Sequence, residues 1–205
     1  MTGYIDLGAE TKEAYAISEK SRMLAREIVG NQSFEDRIRQ RCSVAVGDFG
    51  MAKLMRFSHS PVEAGVAALQ AGAPIITDIR MVSVGILKKA HHSKILCALD
   101  YGEDIAVSRQ ITRTSAGFLA LEAQLPGSIV VIGNAPSALL MVCECMDAGI
   151  IPALIIGTPV GFVNASESKE LLRTFSAPSI SNEGTRGGTP VAVATMNEII
   201  TIFAE

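Results

Sequence analysis

From Pro74 onward the chain alternates short, uniformly apolar runs with longer stretches patterned for helices. The runs are Pro74-Ile-Ile-Thr-Asp78, Lys94-Ile-Leu-Cys-Ala-Leu99, Ser128-Ile-Val-Val-Ile-Gly133 and Pro152-Ala-Leu-Ile-Ile-Gly157, with a weaker one at Ala177-Pro-Ser-Ile-Ser181. Each is apolar on both faces, as a strand buried inside a parallel sheet is. The intervening segments are long enough for crossover helices. The expectation is an α/β fold: a parallel sheet of about five strands with helices on both faces.

Helix starts carry local signals. Ser60-Pro61-Val62-Glu63 reads as a capping box with proline in the first turn, opening a helix to Ala71 that Gly72 ends. Asn134-Ala135-Pro136 opens a helix ending at Gly149, Asn164 or Ser166 caps one through Leu172, and Thr189-Pro190 opens the last, to about Phe203. Ahead of Pro74, the stretch from Thr11 to Val29 carries Ala14, Ile17, Ser21, Leu24, Ala25 and Ile28 at close to a 3.6-residue period. Ser33 to about Ala45 and Met51 to Phe57 also read as helical. These predict an N-terminal helical segment packed on the sheet. No repeat, low-complexity tract or linker interrupts residues 1–205, so a single domain is expected.

Composition narrows the function. At 48% hydrophobic and 19% charged residues, the chain has ample apolar surface to bury and is not disordered. A net charge of −3 argues against nucleic acid, which needs a basic face. An anionic ligand must therefore be gripped by local groups. The longest apolar stretch, Ala135 to Met146, is interrupted by Ser137 and Glu144 and reads as a buried helix rather than a membrane span. Met1 to Asp6 lacks a basic-then-apolar leader pattern, so a cytoplasmic protein is expected. Cys42, Cys97, Cys143 and Cys145 form no CxxC and read as buried thiols of a reducing compartment, with no metal site.

In an open α/β sheet, ligands bind beyond the carboxyl ends of the strands. Four loops with unusual composition reach that edge: 78–81, 133–136, 157–164 and 183–190. Glycine lets backbone approach a ligand, and helix N-termini present free N–H groups to anions. Several such N-termini on one edge suit a ligand with many carboxylates or phosphates. Arg80, Arg113, Lys169 and Arg186 lie near these loops, and guanidinium groups hold carboxylates with paired hydrogen bonds. Neither GxxxxGK[ST] nor a strand-linked GxGxxG is present, which argues against a nucleotide. His91-His92 reads as a solvated turn and His59 as structural; no nucleophile–base constellation stands out. Residue chemistry alone stops at a protein that binds a polyanionic small molecule.

The same loops carry a resemblance. Asp78-x-x-Met81-Val82-x-x-Gly85-Ile86, Thr112-Arg113-x-Ser115-Ala116, Gly133-Asn134-Ala-Pro136-Ser-Ala-Leu139 and Gly157-x-Pro-Val-Gly161-Phe-Val163-x-Ala165-x-Glu167-Ser-Lys169 follow in order, then Gly184-x-Arg186-Gly187-Gly188 and Asn197. This order and spacing resembles the precorrin-8X methylmutase family over nearly the whole chain. The resemblance implies migration of a methyl group from C11 to C12 of a corrin precursor, converting precorrin-8 to hydrogenobyrinate or its cobalt form to cobyrinate. It further implies no cofactor, a homodimer and a substrate fringed with carboxylates. On this reading the substrate-binding candidates are Ser21, Arg41, Asp78, Met81, Arg113, Ser115, Asn134, Gly161, Lys169 and Arg186.

One departure bears on mechanism. The resemblance implies a catalytic histidine within a segment of the type Arg-x-x-His-x-x-Gly. Here that stretch is Arg41-Cys42-Ser43-Val44-Ala45-Val46-Gly47-Asp48, which puts Val44 at the histidine position. Valine neither donates nor accepts a proton. Asp48, Cys42 or Ser43 could substitute, and the intramolecular shift could also proceed on positioning alone. The alternative is a methylmutase-related protein that binds a corrinoid without rearranging it.

Overall fold

A computed structural model describes residues 11–205 of the chain; the leader reading of residues 1–6 lies outside them. Six strands form one sheet: β1 (Met55–Ser58), β2 (Ile75–Thr77), β3 (Ile95–Cys97), β4 (Ile129–Ile132), β5 (Leu154–Gly157) and β6 (Ser179–Asn182). Their order is β1-β6-β5-β4-β2-β3, and every pair is parallel except β1 with β6. The expected five strands are β2 to β6.

The sixth, β1, corrects the helical reading of 51–57. Helix α3 (Gly50–Leu54) ends where β1 begins, and Phe57 lies opposite Ile180 in the antiparallel ladder. A five-residue helix running directly into a four-residue strand leaves neither period long enough to be read.

Nine further helices are described: α1 (Lys12–Val29), α2 (Phe34–Val46), α4 (Pro61–Gln70), α5 (Arg80–Gly85), α6 (Glu103–Arg109), α7 (Arg113–Ala120), α8 (Pro136–Asp147), α9 (Ala165–Leu172) and α10 (Thr189–Ala204). Strand alternation divides the core between two faces. Ile75, Ile129, Val131, Leu154, Ile156 and Ile180 pack toward Val62 and Leu69 of α4 and Ile199 and Ile200 of α10. Ile76, Val130, Ile132 and Ile155 pack toward Phe118 of α7, Leu139 and Val142 of α8 and Leu172 of α9. All four residues of β4 are fully buried, each contributing roughly 1.5–3 kcal/mol relative to exposure.

The N-terminal helices do not pack on the sheet as expected. Helix α2 packs on α10, and α1 packs on α2 as an outer layer. Of the periodic stripe on α1 only Ala25 is buried, while Ile17, Leu24 and Ile28 are exposed.

The side-chain caps that form are not those the sequence reading named: Thr11 caps α1, and Ser33 and Asp36 form a reciprocal capping box on α2. Ser60 instead takes a left-handed conformation without a side-chain cap bond, although Pro61 does open α4. Asn164 stands ahead of α9, also left-handed and without a cap bond, and Ser166 bonds Glu170 within the helix. His91 is buried and bonded to the Leu87 carbonyl at 2.7 Å, not solvated. All four cysteines are buried and free.

Candidate functional site

The parallel strands bring the loops after β2, β4, β5 and β6 to one edge, as expected, and direct bonds join them. The sheet reverses its direction of growth between β2 and β4, where open α/β sheets leave a crevice. Asp78 fills that crevice. Its carboxylate accepts the amides of Gly133 (3.3 Å), Asn134 (2.7 Å), Ala135 (2.9 Å) and Ile79 (2.9 Å). Burial pushes this carboxyl above its ordinary value despite the four amides.

Two expectations change in consequence. The amides of the loop leading into α8 are taken by a carboxylate of the chain itself, not left open to a ligand. Asp78, fully buried, acts as the staple between the β2 and β4 loops. Asn134 donates only its backbone to this staple and is exposed.

Lys169 is likewise turned inward. It is fully buried on α9, and its Nζ donates to the Arg186 carbonyl at 2.7 Å and to Asn182 Oδ1 at 3.4 Å. Burial, aided by the charge of Arg173, pushes its pKa down to about 8. Lys169 thus holds the loop that carries Arg186. The Gly161 amide bonds the Thr185 carbonyl at 3.1 Å, and the Gly188 amide bonds the Thr158 carbonyl at 2.8 Å, so the β5 and β6 loops form one unit. Gly161 has φ +147°, which favours glycine there.

Residues on the outer surface of this edge are of two kinds. Met81, Val160, Phe162 and Val163 are exposed apolar side chains, Phe162 at 95%. Arg186 and Arg113 are exposed cations. Arg113 opens α7, donating to the Leu99 carbonyl at 3.2 Å and reaching Glu103 at 3.4 Å. Ser115 is buried and donates to the Ser137 carbonyl at 3.0 Å, which ties the start of α7 to the start of α8.

A second group of candidates lies on α2. Arg37, Arg41 and Val44 follow at intervals of four and three residues and so line one side of α2, while Asp48 lies just past the left-handed Gly47 that ends the helix. Val44 is 43% exposed. Asp48 is bonded to Arg186, which joins this side of α2 to the sheet edge. The Arg186 hydrogen bond, then the Gly50 amide at 2.7 Å, hold the Asp48 carboxyl below its ordinary value. It stays ionised near neutral pH and does not serve as a proton donor. Cys42 is fully buried, its thiol pushed up to about 12 by that burial, and Ser43 is buried with its hydroxyl donating to the Arg39 carbonyl. None of the three suggested substitutes offers an acidic proton beside Val44.

Sequence reasoning missed Glu198. It is fully buried on α10 and receives Arg22 at 3.1 Å, Arg37 at 2.9 Å and Arg41 at 3.0 Å. Burial pushes its carboxyl up, and Arg22, Arg41 and Arg37 together overcome this and hold it below its ordinary value. The available signal was the single ionisable side chain of a largely apolar helix, since such a group is buried only when paired. Ser21 is half-buried on α1, one turn from Ala25, on the side of α1 that faces α2 and next to Arg22. Among the described residues no group of three or more His, Cys, Asp or Glu could hold a metal ion.

Comparison with known proteins agrees with this architecture. The family described as precorrin-8X methylmutase matches residues 16–202. The cobalt-precorrin-8 methylmutase of Methanocaldococcus jannaschii is 39% identical over 206 residues, covering 95% of this chain and 96% of that protein. The precorrin-8X methylmutase of Pseudomonas aeruginosa is 39% identical over 173 residues, covering 81% and 83%. A crystal structure of the Thermus thermophilus precorrin-8X methylmutase superposes with a TM-score of 0.85 at 35% identity, covering 93% and 96%. A sheet edge combining cations with bare apolar side chains, on a fold and sequence shared along almost the entire length, leads to one conclusion: the chain belongs to the precorrin-8X methylmutase family.

Proposed function

We propose that this chain moves the C11 methyl group to C12 of precorrin-8 or its cobalt form, yielding hydrogenobyrinate or cobyrinate in cobalamin biosynthesis. The observation that carries the reading is family identity across residues 16–202, which includes every candidate site residue. The surface chemistry supports it. A corrin precursor is a disc with apolar faces and a rim of acetate and propionate groups. Met81, Phe162 and Val163 offer apolar contact for the faces, and Arg113, Arg186 and Arg41 offer cations for the rim. Ser21, Asn134 and the Gly161 loop complete the proposed substrate contacts, and Ser115, buried and bonded to the Ser137 carbonyl, holds the start of α7 against α8 beneath them. Asp78 and Lys169 act beneath them by holding the loops in place.

With valine at the position the resemblance assigns to histidine, we infer that rate rests on positioning. The shift is intramolecular, so a held ring presents donor and acceptor carbons to each other without a second reactant. A positioned acid typically adds about 10²–10⁴-fold. Val44→His should therefore raise kcat, by about tenfold or more, with wild-type turnover slow but measurable. The test follows conversion of cobalt-precorrin-8 by the change in its absorption spectrum. Binding without any conversion by the wild type would overturn the mutase reading.

We propose that the chain functions as a homodimer, as the resemblance implies. Exposed apolar side chains on α1 (Ile17, Met23, Leu24 and Ile28) support this, since such a cluster commonly marks an association surface.

A further inference from the structure

We infer that Glu198, with Thr201, is a positioning residue that aims Arg41 at one rim carboxylate of the substrate; this rests on the proposed substrate contact of Arg41. Arg41 Nη1 donates to Glu198 Oε2 at 3.0 Å and to Thr201 Oγ1 at 3.4 Å, so both bonds are made from one corner of the guanidinium. Among the described residues, Nε and Nη2 of Arg41 have no hydrogen-bond partner, and they form the edge that takes a carboxylate through two parallel bonds. The Arg41 side chain is 21% exposed while Glu198 is fully buried. The anchored corner faces α10, and the other edge of the guanidinium is not committed to a partner within the described residues. Thr201 is itself held, donating to the Asn197 carbonyl at 2.9 Å, so the anchor is rigid. Val44 lies three residues beyond Arg41 on the same side of α2, which places this grip one helical turn from the position assigned to the family histidine.

On charge alone, Glu198 would act in the sense opposite to a positioning residue. Removing the carboxylate of Glu198 would leave more positive charge near Arg41 and tighten binding of an anionic ring. A positioning residue, once removed, lets the guanidinium swing and weakens it.

The experiment titrates cobyrinic acid against the full-length protein and follows corrinoid absorbance, for Arg41→Ala, Glu198→Gln, the double variant and Thr201→Val. Arg41→Ala and Glu198→Gln should each weaken binding by about tenfold, as loss of a charge-assisted bond does. The double variant should bind no more weakly than Arg41→Ala alone. In turnover, Glu198→Gln should raise KM with kcat retained. Thr201→Val keeps the ion pairs and should weaken binding by about threefold at an unchanged unfolding midpoint, which tests the inference even if Glu198→Gln fails to fold. Additive losses, tighter binding by Glu198→Gln, or unchanged binding by Thr201→Val would overturn the inference while leaving the substrate contact of Arg41 intact. Unchanged binding by Arg41→Ala would overturn that contact, and the inference with it.

Discussion

Lys169 shows how a residue's chemistry depends on the direction it faces. Its buried ammonium has two oxygen partners and no carboxylate at bonding distance among the described residues. Its pKa lies at about 8 against an ordinary 10.5, so between those values the folded protein binds fewer protons than the unfolded chain. Stability contributed through this group therefore rises with pH across that window, at no more than about 1.4 kcal/mol per pH unit. Lys169→Met should remove this rise. Chemical denaturation of both proteins from pH 7.5 to 10.5 checks it, and parallel stability curves would show that the ammonium is not desolvated. The identity and approximate place of Lys169 were legible in the chain. Its inward direction was not, because that is set by the Arg186 carbonyl and Asn182, contributed by the next strand and its loop.

At the scale of elements, close approaches matter more than propensities. Gly117 sits inside α7, where alanine would ordinarily favour the helix by up to about 1 kcal/mol. A Cβ at this position would stand 2.0 Å from the carbonyl oxygen of Ala98, a backbone atom that cannot rotate away. Gly117→Ala should therefore destabilise the protein, by about 1–3 kcal/mol, as overpacking does. Ala98 immediately precedes Leu99, whose carbonyl Arg113 holds, so under the proposed substrate contact of Arg113 corrinoid affinity should fall as well. A thermal melt with an unchanged midpoint would contradict the packing argument. Strands β2 to β6 and the longer helices were legible as periods and caps. Strand β1 was not, because an antiparallel edge strand of four residues is defined by its partner β6 rather than by its own pattern.

For the molecule as a whole, the outermost layer is the least self-sufficient. Helix α1 leaves Ile17 63% and Ile28 60% exposed. If two copies bury this surface, sedimentation of the purified protein should give twice the chain mass, and Ile28→Asp should shift the equilibrium toward monomer. A monomeric mass at concentrations well above those used for assays would overturn the dimer proposal. The periodicity of α1 reads the same whether its apolar stripe meets a sheet, another helix or a second chain. For that reason the sequence pointed to a helix packed on the sheet, and the structure places it on α2.

What the sequence by itself determined are the local quantities: which segments alternate between strand and helix, where most helices begin, and which motif residues mark the family. These follow from side-chain period, backbone preference and residue identity, all of which act within a few positions along the chain. Only the tertiary structure decided which charges face inward. Asp78 seals the amides of the neighbouring loop, Lys169 supports the strand-end loop of Arg186, and Glu198 gathers arginines from two helices. The physical reason is that burial and pairing of a charge depend on groups contributed from distant positions, and the distance to a partner in space is not written in the spacing along the chain.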